Sequence, residues 1–312
     1  MSARELRRTI DSGFLMADEE RRGFVFHTSN GEQELSIEEV RALADQGDPD
    51  GLYALGMAYL FGWDIEADEK IGYEYLEQAS GKGQTEAMAL LVRMFMQGEY
   101  DGMDQDTAAE MAIEAAKDGI PDAQMYAGLA YMDGVSVEQD YAEAARYFRL
   151  AANQGNDEAR TDLAFLFQEG LGVEKDETKA FKMYRTAAKN GNLNAMFHLA
   201  ICYEFETGTE SDIAKAAEWY TKGSDSGDPF ASERLAYITA EGYGDNVPDA
   251  EKAFELFLKA ANAGIPGAMF MVGYCYVGGS GVKADIDEAK KWLKMAADSG
   301  IQDAQELLAQ IQ

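Results

Sequence analysis

The sequence predicts an all-α chain built from stacked helical hairpins, and three observations carry that prediction. Glycines recur at Gly47, Gly83, Gly119, Gly155, Gly191, Gly227, Gly264 and Gly300, always 36 residues apart except for one interval of 37. A fixed period of that length marks a repeat architecture, in which each unit buries its faces only against its neighbours. The fourth position after each ladder glycine is small: Gly51, Ala87, Ala123, Ala159, Ala195, Ala231, Ala268 and Ala304. The composition is that of a packed protein, with 46% hydrophobic residues and only 5 prolines in 312 residues.

The elements follow in order. The first twenty residues are expected to be helical. Phe24-Val-Phe-His-Thr-Ser-Asn-Gly-Glu reads as a short hairpin turning at Asn30-Gly31. Ser36-Ile-Glu-Glu is a capping box that opens a helix running to Gln46. Residues 1–46 are thus expected to form an N-terminal cap of helix, hairpin and half-repeat helix. Residues 47–299 divide into seven units. Eight positions after each ladder glycine stands a mostly branched aliphatic residue such as Leu55, Leu91, Leu163, Leu199, Leu235 or Val272. A small residue follows directly, and three positions further comes an aromatic: Tyr59, Phe95, Tyr131, Phe167, Tyr203, Tyr276. Spacings of four and three put these residues on one side of a helix, with the small ones where a second helix must come close.

A glycine usually closes this first helix (Gly62, Gly98, Gly134, Gly170, Gly242, Gly279), and an acidic loop follows. The second helix carries Ala144, Tyr147, Ala151 and Ala152 in one unit, and Ala289, Trp292, Ala296 and Ala297 in another. It ends at the next ladder glycine, in the manner of a left-handed C-cap. The sixth unit has Thr239 in place of the aromatic and one inserted residue, so the stacking is expected to be irregular there. Residues 300–312 form a last lone helix whose Leu307, Leu308 and Ile311 would cover the final unit.

Several stretches resemble a known family. Ala123-Gln-Met-Tyr-Ala-Gly-Leu-Ala-Tyr-Met-Asp-Gly, Gly170-Leu-Gly-Val-Glu-Lys-Asp-Glu-Thr-Lys-Ala and Trp292-Leu-Lys-Met-Ala-Ala-Asp-Ser-Gly are similar to Sel-1-like repeats, relatives of the tetratricopeptide repeat. The resemblance implies a right-handed α/α solenoid that serves as an adaptor for other proteins, with its first helices lining a concave groove. Some secreted relatives carry a cysteine pair in each unit, which this chain lacks.

Charge and composition exclude several functions. The 57 Asp and Glu outnumber 27 Lys and Arg for a net charge of −30, which repels phosphate backbones and anionic lipid surfaces. Residues 1–118 hold 26 acids against 10 bases, a net −16. A cationic partner would be steered toward that half. No stretch approaches the roughly 18 apolar residues of a membrane-spanning helix, and the basic start runs into acids without an apolar segment. Cys202 and Cys275 both stand eleven residues after a ladder glycine, two units apart. At about 9–10 Å per stacked helix they exceed the roughly 7 Å limit of a disulfide. They are expected as free, buried residues in a cytoplasmic protein.

Candidate chemistry is sparse. No nucleophile, base and oxyanion pattern is visible, so a non-enzymatic protein without cofactor or metal is expected. Asp101-Gly-Met-Asp-Gln-Asp lacks calcium-loop spacing and reads as an inter-helix loop with Asp106 as N-cap. His198, between apolar neighbours, reads as a packed or groove-edge residue, since no second His or Cys is spaced to share a metal.

The groove is more informative. Carried over from the family, ligand contacts fall six and ten residues after each ladder glycine. Those positions, and one four further on, nominate Tyr53, Met57, Arg93, Met125, Leu129, Phe165, Phe197, Ile201, Phe205, Tyr237, Phe270 and Tyr274. They are apolar or aromatic apart from Arg93. Two readings stay open: packing between neighbouring helices, or a groove for a protein or peptide segment bearing apolar anchors and Lys or Arg. The charge also suits a second function, an immunity or inhibitor protein that neutralises a basic protein.

Overall fold

The computed structural model describes residues 24–28, 31–244 and 246–311. The helix expected in the first twenty residues lies outside them. Strands β1 (Phe24–Thr28) and β2 (Gly31–Leu35) form the expected hairpin, antiparallel, with Phe24 opposite Leu35 and Thr28 opposite Gly31. Of the expected turn pair, Asn30 lies outside the described residues and Gly31 opens β2. Helix α1 (Ile37–Asp45) starts on the capping box. The Ser36 hydroxyl accepts from the Glu39 backbone N–H, and the Glu39 carboxylate accepts from that of Ser36 at 2.9 Å.

The rest is all-α, an α/α solenoid of helical hairpins. The chain divides into two compact units, Met1–Ala159 and Arg160–Gln312. The first contains α2 (Pro49–Phe61), α3 (Glu69–Gly81), α4 (Thr85–Met96), α5 (Gln105–Ala116), α6 (Pro121–Asp133) and α7 (Tyr141–Asn153). The unit boundary falls within α8 (Asp157–Glu169). The second unit holds α9 (Glu177–Lys189), α10 (Leu193–Glu204), α11 (Ile213–Asp225), α12 (Pro229–Glu241), α13 (Ala250–Asn262), α14 (Pro266–Gly278), α15 (Ile286–Asp298) and α16 (Gln302–Gln310). Successive helices pack on one another from α1 to α7 and from α9 to α16.

The ladder works as its spacing predicts. All eight ladder glycines have φ between 73° and 102°, the left-handed region in which a side chain is strained. Seven of the eight fourth-position residues are alanines, and all seven are fully buried. A methyl group at Gly128 would stand 2.5 Å from the Phe148 ring, and one at Gly273 would stand 2.7 Å from Leu293. These small residues let the second helix seat a large side chain against the first. Burying each such side chain is worth about 2 kcal/mol. In the second unit Leu307, Leu308 and Ile311 pack against the apolar cluster around Val272 and Leu293.

A second ladder escaped the sequence reading. Each second helix begins after an aspartate: Asp68, Asp104, Asp140, Asp176, Asp212, Asp249 and Asp285. Its carboxylate accepts from the first turn, which satisfies donors that have no partner inside the helix. The N-cap of α5 is therefore Asp104, not Asp106, which lies inside that helix. In most repeats the backbone N–H of this aspartate also donates to the carbonyl of the aromatic position, as from Asp140 to Tyr131 at 2.9 Å and from Asp285 to Tyr276 at 3.0 Å.

The sixth repeat departs where expected, but in its loop. Its Asp249 keeps the bond to the Thr239 carbonyl, at 3.0 Å. Gly242, however, has ψ 155° rather than the left-handed cap geometry of Gly134 and Gly279, and Tyr243 pairs with Asn246. In the neighbouring repeats a loop glycine presses on the start of the preceding second helix. A methyl at Gly208 would lie 2.0 Å from the Glu177 carbonyl oxygen, and one at Gly281 would lie 1.9 Å from that of Ala250. The equivalent Gly244 faces open space. An open cleft of about 810 Å³ lies beside this loop, lined in part by Thr239, Tyr243, Lys252 and Lys283. The loop between α4 and α5 is also irregular. There Tyr100 is buried, meets the Tyr73 ring at a tilt with centroids 4.8 Å apart and donates to the Glu77 carboxylate at 2.7 Å.

Candidate functional site

In Met1–Ala159 the nominated positions are mostly packed. Tyr53, Met57 and Met125 are at most 7% exposed, so they belong to the inter-helix core and not to an open surface. Burial, with Glu86 nearby, pushes the Tyr53 hydroxyl up to about 12. Arg93 and Leu129 are partly exposed. The Arg93 guanidinium already holds Asp122 at 3.5 Å, and Asn156 donates to the other Asp122 oxygen at 3.2 Å. Glu86 accepts from the Gln84 side chain at 2.7 Å. Its carboxyl is raised above the usual range by burial, with Asp118 adding to the effect. The first-helix surface of this unit carries ionic groups, of which Arg93 and Asp122 pair with each other.

Arg160–Gln312 presents aromatic rings at the same positions. Phe165, Phe205 and Tyr274 are 37%, 58% and 54% exposed, while Phe197, Ile201, Tyr237 and Phe270 are half-buried. Phe197 meets the Tyr220 ring at 5.8 Å and the Phe230 ring at 6.2 Å, and Phe270 meets Tyr274 at 6.3 Å. Phe230, 55% exposed, was not nominated from the sequence. It stands one helical turn before the sixth position of its repeat, so spacing along the helix was the available signal.

Beneath this face lies a polar network. Arg234 pairs with Glu204 and also stands 5.3 Å from the Phe205 ring. The Tyr220 hydroxyl donates to the second Glu204 oxygen at 2.7 Å. Burial, then the Glu204 bond, drives the Tyr220 pKa upward. His198 stacks on Tyr184 at 4.9 Å, and burial lowers its pKa, which makes it a packed histidine. Cys202 and Cys275 are buried and free, and burial pushes the Cys202 thiol up to about 12. Both are inert apolar residues.

Among the described residues no group of three or more His, Cys, Asp or Glu side chains could hold a metal ion, and no helix is long and apolar enough to cross a membrane.

Comparison with known proteins agrees with this architecture. The Sel1 repeat is recognised at residues 49–84, 121–156, 157–192, 193–228, 229–265 and 266–301. The stretch it skips contains the irregular loop at Tyr100. A crystal structure of a Sel1 repeat protein from Oxalobacter formigenes is 29% identical, with a TM-score of 0.70 over 88% of this chain and 80% of that one. That of c5321, a protective antigen present in uropathogenic Escherichia coli strains and displaying an SLR fold, is 25% identical, with a TM-score of 0.51 over 88% and 74%. Over 49 residues the chain is 45% identical to a chitin synthase regulator of Saccharomyces cerevisiae, a stretch covering 16% of this chain and 7% of that protein. With six recognised repeats across most of its length, the chain belongs to the Sel1 repeat family, whose members generally act as non-enzymatic scaffolds for protein–protein interaction.

Proposed function

We propose that the protein is a binding scaffold that holds a segment of a partner protein against the aromatic face of its first helices within residues 160–312. The observation that carries this reading is the exposure of Phe205, Phe230 and Tyr274, each more than half open to solvent, the first at the end of α10 and the others on the next two first helices. Exposed large apolar side chains on a recurring helix mark interaction surfaces, and rigid aromatic anchors dominate the energetics of protein interfaces. Half-buried Phe197, Ile201, Tyr237 and Phe270 form the floor, with Phe165 beside them. The net charge of −30 favours a basic partner over nucleic acid. On this reading residues 1–46 and 300–312 close the ends of the stack, and the buried free cysteines suit the cytoplasm.

The test is selection of displayed random peptides on the full chain, followed by binding to a variant carrying Phe230→Ser and Tyr274→Ser. Both side chains are exposed, so helicity by circular dichroism should be unchanged. Selected peptides are expected to lose at least about a hundredfold in affinity for the variant. Peptides that bind both forms equally would place recognition elsewhere.

A further inference from the structure

One carboxylate interrupts the aromatic face. At the sixth position of three successive repeats the chain carries Phe197, Glu233 and Phe270. Glu233 is half-buried, with Phe230 one turn before it on the same helix and Tyr237 one turn after. Its Oε1 stands 2.5 Å from where a side chain at Gly267 would begin. The acid thus lies over the start of α14, where Phe270 follows Gly267 by one turn. Among the described residues no hydrogen bond or ion pair engages it. The neighbouring Arg234 directs its guanidinium to Glu204 instead. Burial raises the Glu233 carboxyl above the usual range.

We infer that Glu233 is the seat for a Lys or Arg side chain of the partner segment, flanked by apolar side chains that lie against Phe197 and Phe270. This inference rests on the scaffold reading above. A carboxylate among rings matches such a side chain on two counts. The acid supplies the opposite charge in a partly dehydrated setting. The ring faces attract the cation and cover its aliphatic stem. Spacing sharpens the motif. Stacked first helices lie about 9–10 Å apart, and an extended chain advances about 3.3 Å per residue. The apolar anchors should therefore stand about three residues to either side of the basic one.

The experiment uses the peptides selected on the full chain. Expected are sequences with one Lys or Arg and a large apolar residue about three positions away on each side. Synthetic peptides of that pattern should bind Glu233→Gln at least about tenfold more weakly, while Glu255→Gln, an exposed acid on a second helix, changes nothing. Replacing the basic residue by norleucine should weaken binding to the native chain but not to Glu233→Gln, the coupling that a direct pair produces. Peptides that need Phe230 and Tyr274 yet carry no cation, or that bind Glu233→Gln as well as the native chain, would overturn the Glu233 assignment and leave the aromatic face standing. Peptides indifferent to Phe230 and Tyr274, or no enrichment at all, would overturn both.

Discussion

At the tenth position of the repeat, residues 1–159 carry Met57, which is buried, Arg93, which is paired with Asp122, and Leu129. Residues 160–312 carry Phe165, Ile201, Tyr237 and Tyr274 there, the first and last exposed. Three positions after the ladder glycine the contrast recurs. Asp50, Glu86, Asp122 and Glu158 give way to Asn194, Phe230 and Gly267. The framework is common to both units: glycines with positive φ, buried alanines and aspartate caps. The repeat fixes how helices stack and leaves the outward first-helix positions free to specialise. One unit presents ionic groups, the other open aromatic rings.

The ion pairs offer the sharpest way to break this comparison. Arg234→Ala would leave Glu204, whose side chain is only 12% exposed, with the Tyr220 hydroxyl but no opposite charge, and should cost about 3 kcal/mol in chemical denaturation. Arg93→Ala removes a pair about 40% exposed on both sides and should cost about 0–1 kcal/mol. Equal costs would mean that the two networks do not differ in kind. Next in size comes the shared framework. Gly128→Ala and Gly273→Ala each force a methyl group against a buried side chain, Phe148 or Leu293. Each should lose about 1–3 kcal/mol, the two units responding alike. A neutral result at either would show that the second helix is not seated as closely there.

The smallest effect concerns His198. Burial lowers its folded pKa below the ordinary 6.5, so the folded chain resists a proton that the unfolded chain accepts. The stability this contributes is complete above about pH 6.5 and is lost as pH falls below that value. Between pH 7 and pH 5 the native chain should therefore lose more stability than His198→Gln. Parallel losses in the two proteins would contradict the packed, neutral histidine.

The repeat was legible because it rests on backbone geometry and close approach, which only glycine and alanine satisfy at Gly47, Gly128 or Ala195. Residues at the sixth and tenth positions were harder, since Tyr53 and Phe197 look alike in sequence. Whether such a ring packs or faces solvent depends on neighbouring helices, so Tyr53, Met57 and Met125 emerged as core. The aspartate caps were visible as a second 36-residue ladder but were read in one loop only, and there at Asp106 in place of Asp104. Thr239 and the inserted residue pointed to the sixth unit, but to irregular stacking, whereas the departure lies in its loop. The loop at Tyr100 was not predicted, because its repeat keeps the 36-residue length and hides the change in the turn.

Hydrogen–deuterium exchange on the full chain, with and without a peptide selected on it, tests the central claim most directly. Protection confined to the first helices α10, α12 and α14, strongest around Phe197, Glu233 and Phe270, is the result this account predicts. Protection concentrated on α4 and α6, or on the second helices of either unit, would contradict it.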